Sequence, residues 1–248
     1  MSRQKQIATP ATVRIGATIG LPDVLRSLGE DPAEVLAEVG LGLELFDDPN
    51  NRVSYQDRGR LMAYCADRTG CRHFGLLVGQ RAGLLSFGFV GLLAKYSPNL
   101  GSALDSLMRY IHLHVRGATV ALAIDSDLAV FEYLIYQYRA QGNEQVGDGA
   151  VAVAFNIVSE LCGKDWAPVE VRFAHRKPED VKPYSRYFDT PLRFDAEQYA
   201  VVFPASWLDH RLSDTSPELL HLLQQEVDKL EISLEDDFQE QVRSLLRP

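Results

Sequence analysis

Cysteine is scarce in this sequence: Cys65, Cys71 and Cys162 are the three in 248 residues, and no two form a CxxC pair. An odd, scattered set excludes a disulfide framework. It is read as reduced, buried thiols of a cytoplasmic protein, with oxidant sensing by an exposed thiol as the alternative. Positive charge is also short, with 25 Lys and Arg against 34 Asp and Glu and a net charge of −9. A chain that grips DNA normally presents a basic face to the phosphates, so this segment is a poor main DNA reader. An anionic membrane surface is an equally poor partner. No stretch approaches the roughly 20 apolar residues that span a bilayer. The opening MSRQKQIATPATVRIGATIG lacks the apolar core and cleavage site of a secretory signal. No GxSxG elbow, P-loop, HExxH or strand-borne GxGxxG occurs, so no catalytic residue, metal ligand or cofactor is assigned.

What is present is an ordinary globular composition, 46% hydrophobic and 24% charged, in a chain long enough to bury a core unaided. A polar lead precedes short helices over 21–28 and from Asp31, whose side chain reads as an N-cap before Pro32. Helices follow over 54–69, 73–80, 84–96 and 100–114. The segment 84–96 is apolar all round with interior Gly88 and Gly91, which predicts a buried helix with close packing or a kink. The period then changes to two: runs over 118–124 and 129–136 flank Asp125-Ser126-Asp127, a hairpin signal. A long apolar helix over 148–161, a strand at 169–174, a helix at 181–188 and strands at 192–194 and 200–203 come next. Residues 207–216 read as loop, and two helices close the chain, one from Pro217 to about Leu230 and one over 234–246. Helices first and antiparallel-looking strands afterwards imply an α+β fold, a helix-rich N-terminal portion packed on a small mixed or antiparallel sheet.

Polar-tipped and aromatic residues near the change of period are the candidate pocket. His112 and His114 would point about 200° apart on a continuing helix, so they share a metal only if the helix has ended. A capping or interior histidine is the plain reading, and a ligand contact lies between the two. Phe87 and Phe89, beside small glycines, could wall a pocket or simply fill a packed core. Alternation puts Tyr136 and Tyr138 on one strand face and Tyr133 and Gln137 on the other. The effector-binding candidates are therefore Phe87, Phe89, Tyr110, His112, His114, Tyr133 and Tyr136. The leucines at 219, 220, 222 and 223 form an apolar stripe that suits either the same domain or a second subunit.

The ordered run Phe74-Gly75-Leu76-Leu77-Val78-Gly79, Gly91-Leu92-Leu93 and Tyr96-Ser97-Pro98-Asn99-Leu100-Gly101-Ser102-Ala103-Leu104 resembles the N-terminal domain of AraC-type transcription regulators. The resemblance is to the branch known as arabinose-binding-like, distinct from the sugar-binding β-barrel of the namesake. Leu161 to Pro168, Val171-Arg172-Phe173, Pro178 to Tyr184, Phe194 to Glu197, Val202-Phe203-Pro204 and Trp207-Leu208-Asp209 continue it over roughly residues 15–230. It implies a cytoplasmic regulator whose N-terminal domain binds a small-molecule effector, forms a homodimer, or both, while a C-terminal pair of helix-turn-helix units reads DNA. A dimerisation module without effector and an enzyme of unfamiliar design are the alternatives. The expected organisation is a flexible lead over 1–15, an effector-binding and dimerisation domain over 16–231, and a linker with the start of a helix-turn-helix domain over 232–248. DNA binding is accordingly assigned to the parent regulator.

Overall fold

The structure is a computed structural model that describes residues 11–137 and 140–245, with side chains described through Ser233 in the last helix. Expectations that fall on residues 1–10, Tyr138 and Leu246 lie outside the described residues.

Chain entry is a short strand, β1 (Thr12–Arg14), which pairs antiparallel with β2 (Arg52–Ser54). The sequence pattern places these first residues in a polar lead. Three residues are too few to show alternation, and the strand exists through tertiary pairing. Arg14 N donates to His114 O at 2.8 Å, Arg116 N to Thr12 O at 2.8 Å, and Val13 is buried. Between the two strands lie α1 (Leu21–Ser27), with Pro22 in its first turn, and α2 (Pro32–Glu38), where the Asp31 carboxylate accepts from Ala33 N. Both follow the cap signals in the sequence.

Ser54 caps α3 (Tyr55–Thr69) by accepting from Asp57 N, and α4 (Phe74–Gly79) follows. The expected buried helix over 84–96 is instead a 3-10 turn, Leu84–Phe87, and a separate α5 (Gly88–Lys95). Gly88 causes the split: its φ of +56° is open to glycine and strained for any side chain. Nor is the segment buried all round, since Leu85 and Phe89 are exposed. Asn99 caps α6 (Leu100–Tyr110) by accepting from Ser102 N, and a 3-10 turn, Ile111–Leu113, ends that helix.

The hairpin is β3 (Ala118–Asp125) and β4 (Leu128–Ile135), closed at Ser126, which adopts φ +58°. The long helix α7 (Asn143–Cys162) starts five residues earlier than its apolar core indicates, because Asn143 to Gly147 is helical without being strongly apolar. Then come β5 (Glu170–Arg172), α8 (Lys182–Phe188), β6 (Leu192–Arg193) and β7 (Tyr199–Pro204). Sheet order is β3-β4-β7-β5-β6, antiparallel except for the β5–β6 pair, which makes the sheet mixed. A 3-10 turn at Ala205–Asp209 occupies part of the expected loop. The final α9 (Pro217–Leu245) is one helix where two were expected, since Glu231-Ile232-Ser233 holds neither Gly nor Pro to stop it.

The α+β class is thus realised with α7 at its centre, packed on α3 and α4 on one side and on β4 and β7 on the other. Helices α4 and α7 approach backbone to backbone: a Cβ on Gly75 would meet Gln145 O at 2.0 Å. A buried network anchors α8 to this centre. Asp148 of α7 accepts from the Tyr184 hydroxyl at 2.6 Å and lies 2.8 Å from His175 Nε2. Burial alone would lower the His175 pKa, but the hydrogen bond and charge of Asp148 more than offset it and raise it. All three cysteines are buried, and burial pushes the thiols of Cys65 and Cys162 up to about 12, as the plain thiol reading requires. Among the described residues no helix is long and apolar enough to cross a membrane.

Candidate effector pocket

A mostly apolar cavity of about 90 Å³ lies where α7 faces the hairpin and the N-terminal strand. Its construction follows from side-chain size. Along α7 the small residues Gly149, Ala150 and Ala154 leave volume unfilled, and Val153 and Ile157 line the rest of that wall. Gly79 of α4 lies against them, with Gly149 O only 2.4 Å from where its Cβ would be. Alternation on β4 turns Phe131 and Tyr133 inward, and Val120 of β3 joins them. Helix α6 and its terminal turn contribute Leu107, Ile111 and His114, and α3 contributes Arg58 and Met62. The conformation at Gly88 directs Phe87 into the cavity at the end of its 3-10 turn. Val13, Arg14, Ala17 and Thr18 complete the wall, which is why the N-terminal strand matters to the site.

The polar groups in this apolar setting are few and nearly all basic. His114 is 6% exposed, with Arg14 Nη1 at 3.1 Å from its Nδ1 and 3.3 Å from its Nε2, and with the Phe87 ring at 5.0 Å. Burial, then repulsion by Arg14, Arg52 and His112, pushes its pKa down to about 3, so the imidazole is neutral at pH 7 and accepts from Arg14. Arg14 also donates to Asn50 Oδ1. Arg52 donates to Leu113 O at 2.5 Å and to Thr12 Oγ1 at 3.3 Å. Burial lowers the pKa of both arginines, and for Arg52 the neighbouring Arg14 and Arg116 act in the same direction. Arg58 is 7% exposed, its guanidinium carbon 4.7 Å from the Tyr55 ring centroid. Its Nε and Nη2, and the Tyr55 hydroxyl, have no hydrogen-bond partner among the described residues. Among the described residues no Asp or Glu lines the cavity.

Of the seven candidates, Phe87, His114 and Tyr133 come together in this cavity. The other four are placed elsewhere. Phe89 and Tyr136 are 43% and 55% exposed. Tyr110 is buried on the far side of α6, where its hydroxyl donates to Asp228 at 3.1 Å and accepts from Gln224 of α9. His112 points outward, its Nε2 3.0 Å from Glu231. The two histidines thus diverge, one into the cavity and one toward α9, and form no shared metal site. Sequence reasoning missed Arg14 and Arg58. Arginine on an amphipathic pattern reads as solvated, and nothing local distinguishes these two from Arg60 or Arg68, which form exposed ion pairs.

The family described as the arabinose-binding domain of AraC transcription regulators, N-terminal, matches residues 29–212, and the chain belongs to that family. It is therefore a regulatory domain of the AraC type. An ornithine utilization regulator from Pseudomonas aeruginosa is 22% identical over 227 residues, covering 92% of this chain and 67% of the relative. The crystal structure of the transcriptional regulator CdpR from Pseudomonas aeruginosa shares the fold, with a TM-score of 0.60 and 14% identity over 85% of this chain. The chain spans 64% of that protein, just under two thirds of its length.

Proposed function

We propose that this domain senses a small-molecule effector in the cavity and passes its occupancy to α9, as the regulatory half of a transcription regulator and not as an enzyme. One observation carries the reading. The segment Leu107–Val115 faces two ways: Leu107, Ile111, His114 and Val115 line the cavity, while Tyr110 and His112 hold Asp228, Gln224 and Glu231 of α9. An effector that binds one arrangement of this segment better than another shifts α9 by that difference in affinity and by no more. The alternative of a dimerisation module combines readily with sensing, since α9 also leaves apolar side chains in water, and a homodimer is the assembly we infer.

The test is thermal unfolding of the chain across a metabolite library, followed by amide hydrogen exchange with any compound that raises the melting temperature. A ligand bound only to the folded state raises it with concentration. Filling the cavity through Ala150→Phe is expected to abolish the shift. Exchange in 107–115 and 217–233 should change together on binding. Protection confined to the cavity, with α9 unaffected, would refute the coupling.

A further inference from the structure

We propose that the effector is a small organic anion, an apolar body ending in a carboxylate, and that Arg58 is the residue that holds it. The inference rests on the sensor reading above and assigns the ligand's chemistry. A guanidinium more than nine-tenths buried, in the wall of an apolar cavity, needs a counter-charge or a set of acceptors to offset its lost hydration. The ion pairs among the described residues include none at Arg58, nor at Arg14 in the same cavity wall. The Tyr55 ring supplies one face of attraction, and its hydroxyl, close to Arg58 and Tyr133, is a neutral acceptor that cannot balance the charge.

The geometry of what is left free is specific. Nε and Nη2 share one edge of the guanidinium, the fork that matches the two oxygens of a carboxylate; both atoms are closed to water here, so the carboxylate engages them as the Arg58 side chain turns into the cavity. Tyr133 provides a hydroxyl in the same cavity, and neutral His114 accepts from Arg14, whose charge is offset only by the field of Asp48 outside the cavity lining. Met62, Leu107, Phe131, Val153 and Ile157 form the wall for the apolar body. With no Asp or Glu among the described lining residues, a ligand that must bury an ammonium is a poor fit, a diamino acid such as ornithine included. A sugar is a poor fit too, because its many hydroxyls would outnumber the polar groups available.

The test uses matched probes on the intact chain: octanoate against octanamide and octylamine, and phenylacetate against phenylacetamide and phenethylamine. Calorimetry and melting temperature are the readouts. At least one acid is expected to bind, with its amide about tenfold or more weaker and its amine silent. Arg58→Met should erase the preference for acid while raising the ligand-free melting temperature by a few degrees, because an uncompensated charge leaves the interior. Arg58→Lys, which keeps the charge and loses the fork, should retain a weakened preference. Equal binding of acid and amide by the unmodified chain overturns the anion assignment, and undiminished acid binding by Arg58→Met overturns the role of Arg58; either leaves the sensor reading standing. Binding of no acid overturns the assignment; if the wider library is silent as well, the sensor reading goes with it. Should Arg58→Met fail to fold, the acid–amide comparison on the unmodified chain decides alone.

Discussion

The imidazole of His114 sits between the Phe87 ring and the Arg14 guanidinium, with Arg52 close enough to repel its charged form. Its pKa near 3 in the folded chain lies below the 6.5 of an ordinary histidine, so below pH 6.5 the unfolded chain binds a proton that the folded chain refuses. Stability is complete above pH 6.5 and falls as pH drops toward 3, by up to about 1.4 kcal/mol per pH unit from this group. His114→Gln should flatten the profile in that window, as checked by urea unfolding at stepped pH. A variant as acid-sensitive as the parent would show that other groups account for the loss. At this scale the sequence was informative where chemistry is rare. Phe87, His114 and Tyr133 stood out as aromatic or imidazole groups near the change of period. Arg14 and Arg58 did not, because burial of a charge is decided by distant segments: Arg58 borders a cavity whose other walls come from residues as remote as Ile157 of α7.

One turn of backbone shapes the wall at the level of elements. Gly88 separates the 3-10 turn from α5 with φ +56° and ψ −130°, and Phe87 enters the cavity because of it. A Cβ there would meet only the Arg14 guanidinium at 3.7 Å and beyond, so the cost of Gly88→Ala is backbone strain and not collision. We expect a loss of about 1–3 kcal/mol in chemical denaturation, with weaker effector binding as Phe87 shifts. A neutral substitution would mean that the segment can continue as one helix, which is what its apolar pattern suggested. That pattern was read correctly as helix and incorrectly as uniform burial. Periodicity reports how apolar a face is, and not whether a partner covers it, so exposed Leu85 and Phe89 were invisible in it. The caps at Asp31, Ser54 and Asn99 are local chemistry, and of the three only Asp31 is marked as a cap in the sequence.

Across the whole molecule, the order of helices before strands was enough to name the α+β class, and the hairpin was marked by its Asp-Ser-Asp turn. The pairing of β7 between β4 and β5, and the parallel β5–β6 edge, were not legible, because strand partners are chosen by packing on α7 and not by the strands' own residues. The same limit applied to α9. Its stripe of leucines suited either this domain or a second subunit, and the structure buries only part of the apolar surface of the helix. Leu223 and Val227 are buried on the domain, whereas Leu222, Leu230 and Ile232 are 57%, 41% and 60% exposed. A helix of 29 residues, about 44 Å long, with apolar side chains both beneath it and in water, is suited to hold a second copy of the chain on its outer face. Replacing Leu230 and Ile232 together by glutamate should then lower self-association in sedimentation velocity while leaving the melting temperature of the domain nearly unchanged, since neither side chain is buried within one chain. A double variant that sediments as the parent dimer would move the interface elsewhere on the surface. A parent chain that stays monomeric at tens of micromolar would remove the homodimer and leave α9 as a relay within one subunit.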